Sequence, residues 1–471
     1  MKKESIKKIF IISMIVYVVL TTLFYFLAGD QLKYKNSKYN ITMPEADSVS
    51  DELVNGVFIR QDFKARMDRI DSVAIVFTKF YKEMTGDVVI ELLDGIRIIA
   101  KKEIKIEDIP EQQRVFLNID KPLYGVKDKT LTIKIYGNAF SGNAPAVMVN
   151  QKIENGYTVG YKKYDGTLCF SVNGSDEIWI GTYYWLVMGI LGILLGLLLY
   201  LSYKQYLNGK TNYIVGAILA IYQYKFLISQ LVLRDFKSKY KRSILGVFWS
   251  FLNPLLTMTV QFLVFSTFFR ADTHNYPVYL LSGVVCFSFF SECTTMCLSS
   301  ISGNARLITK VYIPKYIFPL ARSISSSINL GISLIPLILV CLIMGVPIKP
   351  QALLFFYFLL CLIIFSLGVG MFLSALMVFF RDIQFLWTVL IQIWMYATPI
   401  FYPAEIIPEQ YKFIVRLNPL YHFIGNARTC LLNGISPEPS AYMFCAIFAI
   451  GALLIGAVVF KKTQDKFALY L

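Results

Sequence analysis

The sequence predicts a polytopic α-helical membrane protein with an all-β sandwich domain inserted near its N-terminus. Three observations carry this expectation. Of 471 residues, 56% are hydrophobic and 15% aromatic, more than a soluble domain carries. The apolar residues gather into stretches long enough to cross a bilayer. The net charge of +15 is also unevenly placed: residues 29–181 hold 21 Lys and Arg against 22 Asp and Glu, and the remainder holds 25 against 9. That excess sits at span ends and in short loops, as at Lys2, Lys3, Lys7 and Lys8. This is the positive-inside pattern rather than a nucleic-acid groove, so no nucleic-acid partner is expected.

The elements follow in order. Residues 1–29 form a basic cytoplasmic tip and a transmembrane anchor. The apolar run 9–28 is longer than a signal-peptide core, and Leu27-Ala28-Gly29 is a poor cleavage site, so an uncleaved anchor is expected. Residues 30–181 alternate like a β-protein, in runs such as 73–80, 87–94, 114–120, 130–137 and 168–172. About eight short strands with this spacing predict a β-sandwich of jelly-roll type outside the cytoplasm. Tyr157, Tyr161 and Tyr164 have two readings, as platforms for sugar rings or as ordinary strand and core aromatics. Residues 182–203 form a second anchor, and residues 204–243 a cytoplasmic linker with an amphipathic helix. Residues 244–471 form a six-span core, near 244–269, 277–301, 316–345, 352–379, 384–402 and 440–460, giving eight spans in all. Six of eight cysteines lie in apolar spans, with Cys169 and Cys430 outside them, so no disulfide framework is implied. His274 and His422 are the two histidines, too few for a metal site.

The stretch from Leu231 to Arg270 is the most informative in the chain. On a helix from Leu227 to Lys241, Gln230, Arg234, Lys237 and Lys241 share one stripe, while Leu227, Ile228, Leu231, Val232 and Phe236 form a broad apolar arc. This describes a helix in a membrane interface leading into one that crosses. Asp235 falls within the apolar arc, where an unpaired carboxylate is costly, so a protein partner for it is expected.

The words LVLRDFKSKYKRSILGVFWSFLNPL, YLLSGVVCFSFF (279–290), ITKVYIPKYIFPL (308–320), FFRDIQ (379–384) and TPIFYPAEIIP…LNPLYHFI (398–424) resemble the ABC-2 type transporter permeases. The likeness is nearest to the branch exporting polysaccharides, O-antigens and teichoic acids. It covers roughly residues 222–465 and leaves the first two hundred outside. It implies two permease copies with two separate nucleotide-binding subunits, which carry ATP and Mg. No G-x-x-x-x-G-K-[ST] loop occurs in this chain, so it binds no ATP in that manner.

The resemblance places an ATPase-coupling helix in the loop 303–316. Asn304, Arg306, Leu307, Lys310, Val311, Tyr312, Pro314 and Lys315 belong to it, the helical stretch running from Asn304 to Val311. Arg234, Asp235, Lys237 and Lys241 of the interface helix form a second candidate surface. Glu292 is the one acid well inside a core span, and Arg322 is placed to reach toward it. A structural pair and a substrate contact both stand as readings. Phe248, Trp249, Phe251 and Asn253 in the first core span, with Trp387, Trp394 and Tyr396 in the fifth, are candidates to line a translocation path, since pyranose faces pack on aromatic rings. Asn253-Pro254 breaks one helical hydrogen bond, a break tolerated where protein or a cavity satisfies the freed group. Pro399, Tyr402, Pro403, Pro408, Asn418 and Pro419 punctuate an external stretch that reads as an outer gate or as a plain interfacial cap.

The function this implies is the transmembrane subunit of an ABC exporter moving a lipid-linked polysaccharide outward across the cytoplasmic membrane. Its expected partners are the nucleotide-binding subunit, a second copy of itself, the lipid-linked glycan and membrane lipids. One rival is a membrane glycosyltransferase or glycan-modifying enzyme, for which Glu45-Ala46-Asp47 is the available acidic pair. Another is an ABC-2 exporter of a drug, peptide or lipid.

Overall fold

The structure is a computed structural model that describes all residues except 1–2, 35–42, 80–85, 111–112, 154, 210–211, 242, 270–274 and 471. Lys2, His274, Phe80 and Arg270 therefore lie outside the described residues. The chain divides into two compact units, Leu32–Tyr183 and the rest.

The first unit is an antiparallel β-sandwich. Its strands are β1 (Ser48–Val49), β2 (Phe58–Lys64), β3 (Arg69–Thr78), β4 (Asp87–Asp94), β5 (Arg97–Lys105) and β6 (Arg114–Tyr124). They continue as β7 (Thr130–Gly137), β8 (Ala146–Asn150), β9 (Tyr157–Val159), β10 (Lys162–Tyr164), β11 (Thr167–Leu168) and β12 (Phe170–Ser175). One sheet runs β1-β8-β3-β12, with β6 also on β3 and β11 on β8; the other runs β10-β9-β2-β7-β4-β5. Strict alternation builds the core. In β2, Ile59, Gln61 and Phe63 point inward, and Arg60, Asp62 and Lys64 outward. Ile59, Ile90, Ile133 and Ile135 of one sheet share a buried cluster with Val73, Ile75, Leu117 and Val147 of the other. Of the three tyrosines, Tyr157 is buried and stacks on Tyr164 at 5.6 Å, while Tyr161 alone is fully exposed. Asp47 accepts from the Gln151 amide at 2.9 Å and the Glu45 carbonyl from Asn150 at 2.7 Å, so that acidic pair lies in an irregular segment stapled to the end of β8.

The second unit is helical. Its elements are α1 (Lys3–Ala28), α2 (Tyr184–Leu207), α3 (Tyr213–Gln223), α4 (Lys225–Tyr240), α5 (Phe248–Phe269) and α6 (Tyr276–Leu298). They continue with α7 (Ile317–Ile343), α8 (Phe355–Phe379), α9 (Ile383–Ala397), α10 (Glu409–Arg416), α11 (Pro419–Arg428) and α12 (Pro439–Thr463). Among the described residues, seven helices are long and apolar enough to cross a membrane. The remaining expected span, 384–402, is the 15-residue α9. At 1.5 Å per residue it covers roughly 22 Å of a hydrocarbon layer about 30 Å thick. Pro399, two residues past its end, explains the early stop. The expected linker also holds α3, whose apolar YIVGAILAIYQ packs Val215 against Ile6, Phe10 and Leu199.

Two local devices set the core. Helices α8 and α12 cross at glycines: a Cβ on Gly368 would sit 2.4 Å from the Ala452 carbonyl carbon, and one on Gly456 would collide with the Gly368 oxygen. Backbones therefore touch where side chains would separate them. In α5, Pro254 leaves the Ser250 carbonyl without its helical donor. Ser333 of α7 donates to that oxygen at 3.3 Å, so the freed group is satisfied by protein.

Candidate functional site

The site begins with α4. Ile228, Leu231 and Val232 bury against Ile317, Phe318 and Ala321 of α7 and against Phe460 and Phe467. Helical spacing of three and four carries Asp235 onto this same face, where it is 7% exposed. Arg322 meets it there at 2.9 Å. Arg234 reaches Asp235 at 3.2 Å and the Asn304 side-chain oxygen at 3.0 Å. One turn on, Lys239 lies 2.8 Å from Glu292, which also accepts from Asn329 at 2.6 Å. Arg234, Asp235, Lys239, Glu292, Arg322 and Asn329 line a cavity of about 610 Å³. Among the described residues, the second oxygen of Asp235 has no hydrogen-bond partner.

This corrects the expected Glu292–Arg322 pairing. Arg322 and Asn329 are seven residues apart on α7, two turns along one face. The nearer turn takes Asp235 and the farther one Glu292. Each acid thus has a cationic or amide partner from another helix, and α4 is pinned to α6, α7 and the loop between them. Lys237 and Lys241 are exposed and take no part in these contacts.

The loop after α6 is less helical than the expected stretch from Asn304 to Val311: a 3-10 turn at Ser302–Asn304 leads into a single α-helical turn, Ala305–Ile308, followed by a turn in which Val311 donates to the Leu307 carbonyl at 3.1 Å. Its expected residues divide into two groups. Asn304 is buried and bonds the Ser300 carbonyl at 2.7 Å, Leu307 packs on the α4–α7 cluster, and Pro314 is half-buried. Lys315 turns inward, donating to the Gln464 carbonyl at the end of α12 and lying 5.8 Å from the Phe467 ring centre. Arg306, Lys310, Val311 and Tyr312 are exposed, Tyr312 at 95%. Two cations and two apolar side chains therefore stand on a turn whose base is locked.

At the other end of α6 lies a second hub. Arg428 is buried and donates to the carbonyls of Pro399 (2.8 Å), Ile400 (2.9 Å) and Tyr279 (2.9 Å) and to Ser282 (3.3 Å). Its guanidinium carbon lies 3.5 Å over the Tyr279 ring. Gly283 makes the room, since a Cβ there would overlap the guanidinium. Asn418 caps α11 through the Leu420 amide (3.0 Å), accepts from the Trp394 indole (2.8 Å) and donates to Thr398 (2.8 Å). Tyr402 donates to the Tyr396 carbonyl at 2.9 Å, Pro403 opens the turn Ala404–Ile406, and Pro408 precedes α10. The punctuated stretch is thus an ordered assembly on Arg428 and Asn418, beside a cavity of about 620 Å³.

The path candidates separate. Phe248 and Trp249 are exposed on α5, Phe248 stacking on Phe251 at 5.2 Å, and Asn253 is exposed beside them. Trp387 and Trp394 instead turn into the protein around Phe290 and line an apolar cavity of about 280 Å³. That lining suits an alkyl chain better than a hydroxylated sugar. Tyr396 is exposed. No ring contact joins the α5 and α9 sets among the described residues.

Lys239, Asn329, Tyr279 and Arg428 were missed by sequence reasoning. The spacing of Asp235 and Lys239 on one helical face signalled the first. A lone arginine in the apolar run IGNARTCLL signalled the last, because a buried guanidinium needs several acceptors.

Residues 227–432 match the family model described as ABC-2 type transporter. An "O-antigen export system permease protein RfbA" of Klebsiella pneumoniae is 30% identical over 264 residues, covering 52% of this chain and 96% of its own length. Its namesake in Myxococcus xanthus is 28% identical over 250 residues, covering 53% of this chain and 96% of its own. The "Polysialic acid transport protein KpsM" of Escherichia coli is 23% identical over 246 residues, covering 51% and 95%.

Proposed function

The chain belongs to the ABC-2 type transporter family, and from that premise we propose that it moves a lipid-linked polysaccharide outward across the cytoplasmic membrane. It is a polytopic membrane protein and a transporter permease. The observation that carries the substrate class is the near-complete coverage of relatives named for O-antigen export and polysialic acid transport.

The energy comes from ATP and Mg on a separate nucleotide-binding subunit, two of which serve two permease copies. Exposed Arg306, Lys310, Val311 and Tyr312 form the docking surface. Asn304, Arg234, Asp235 and Arg322 join that turn to α4 and α7, so a push on the turn moves packed helices rather than a slack loop. Positive-inside charge puts this surface in the cytoplasm and the β-unit outside. The Arg428 and Asn418 hubs then hold the outer gate. The apolar cavity at Trp387 and Trp394 accommodates the lipid portion of the substrate. That same cavity favours a second reading, export of a lipid or drug without a glycan.

The test is purification of the tagged chain from gentle detergent, with copurifying proteins identified and ATPase activity assayed. A P-loop subunit is expected with the wild type, and at least tenfold less of it with Arg306→Glu/Lys310→Glu or Tyr312→Ala, each removing hot-spot contact. Recovery of an intact chain without an ATPase in several detergents argues against the transporter.

A further inference from the structure

The outer face of the second sheet carries a row of charges. Cross-strand register lines up Lys163, Thr158, Arg60, Lys134, Glu91 and Lys101, one each from β10, β9, β2, β7, β4 and β5. Five strand spacings make this row roughly 24 Å long. Four of the six are cations. The lone acid, Glu91, is 4% exposed and already answered by Lys101 at 3.4 Å and the Tyr136 hydroxyl at 2.8 Å.

Like charges directly opposite one another destabilise a sheet. Arg60 and Lys134 nevertheless form a direct antiparallel pair. Among the described residues, this unit's ion pairs are Lys64–Asp128, Arg69–Asp71, Lys101–Glu91 and Lys105–Glu107; neither Arg60 nor Lys134 is in one, Glu91 across from Lys134 being paired with Lys101. An anion laid between them would remove the repulsion. Beside the cations runs an aromatic row: Phe58 lies opposite Tyr136, with Arg60 at 5.0 Å from the Phe58 ring centre and Lys134 at 5.1 Å from that of Tyr136. Tyr161, fully exposed on the turn after β9, meets Phe58 edge-on at 5.8 Å.

Resting on the export reading, we propose that this face binds the exported polymer, an acidic linear polysaccharide laid across the strands. Its carboxylates or phosphates lie on the Arg60–Lys134 row, and its pyranose faces lie on the aromatic row. Phe58 and Tyr136 are half-buried in the sheet and offer a flat surface, whereas a membrane-inserting patch needs protruding apolar side chains.

The experiment titrates the full-length chain, in nanodiscs of neutral lipid, with polygalacturonate oligosaccharides and with neutral dextran oligosaccharides. Polygalacturonate is expected to bind, more weakly as salt rises, and dextran about tenfold less well. Arg60→Gln/Lys134→Gln and Tyr161→Ala each weaken polygalacturonate binding about tenfold. Arg60→Gln also raises the melting temperature, a combination that a purely structural residue does not give. Equal binding by wild type and variants overturns the proposal. So does wild type that binds no polygalacturonate, or variants that lose only their adhesion to phosphatidylglycerol vesicles. In cells, surface polysaccharide that survives deletion of the chain sinks the export reading. Polysaccharide lost on deletion but normal in the face variants sinks this proposal alone.

Discussion

Arg322 and Asp235 are the residue pair on which the most depends. Their carboxylate is almost fully buried, so removing Arg322 leaves it only the half-exposed Arg234 as a cationic partner. Arg322→Leu is expected to cost about 1–3 kcal/mol, and Arg322→Leu/Asp235→Leu less, because the double replacement leaves only Arg234, which is half-exposed and keeps Asn304. Unfolding in mixed detergent micelles measures both; equal losses in single and double variants contradict the pairing. Cys169 makes a second residue-scale case. Burial first, and the Asp47 carboxylate second, push its thiol up from 9.0 to about 11. The folded unit therefore keeps a proton that the unfolded chain releases above pH 9. Stability from this group is present below pH 9 and is lost as pH rises toward 11. A falling melting temperature of the β-unit over that window, flattened by Cys169→Ala, is the expected result. At this scale the sequence was informative where chemistry was costly, as with Asp235 in an apolar arc. It was silent on which cation would answer, because that depends on the rotation of α7 rather than on spacing in α4.

At the scale of elements, the α8–α12 crossing is the least forgiving. Gly368→Leu is expected to lower the melting temperature sharply, by forced separation worth about 1–3 kcal/mol or more. Gly331→Leu on α7, where a Cβ meets nothing within 4 Å, is expected to be near neutral. Fluorescence-detected size exclusion after heating distinguishes the two. Helices and strands were legible from periodicity, since an apolar run such as 355–379 has one economical solution in lipid. The short α9 was not, because its apolar pattern continues to Ile400 and Phe401 while the backbone stops before Pro399. Both bury instead of extending a span, Ile400 with its carbonyl on Arg428 and Phe401 with its carbonyl on the Tyr276 hydroxyl. The arginine's need for carbonyl acceptors, which no window average contains, decided that geometry.

For the whole molecule, membership of a permease family was readable from separated blocks in the correct order. The apolar spans were likewise readable, seven of the eight recurring as helices long enough to cross a membrane among the described residues. The inner pinning of α4 and the outer Arg428 hub were not, since both bring together groups distant in sequence, as in the 70 residues between Arg234 and Asn304 and the 149 between Tyr279 and Arg428. Arg428→Leu is expected to loosen the segment from Thr398 to Asn433 while leaving the α4 cluster intact. Accelerated hydrogen exchange confined to that segment is the measurement, and uniform acceleration across the core counts against an independent hub. Chain order adds a consequence for biogenesis. The sandwich, with a hydrophobic core of its own, is complete by Tyr183, before α2 and every later helix. A ribosome therefore finishes the β-unit while the later spans are still unmade. Its strands can therefore pair and bury their shared core before the helices that follow it exist.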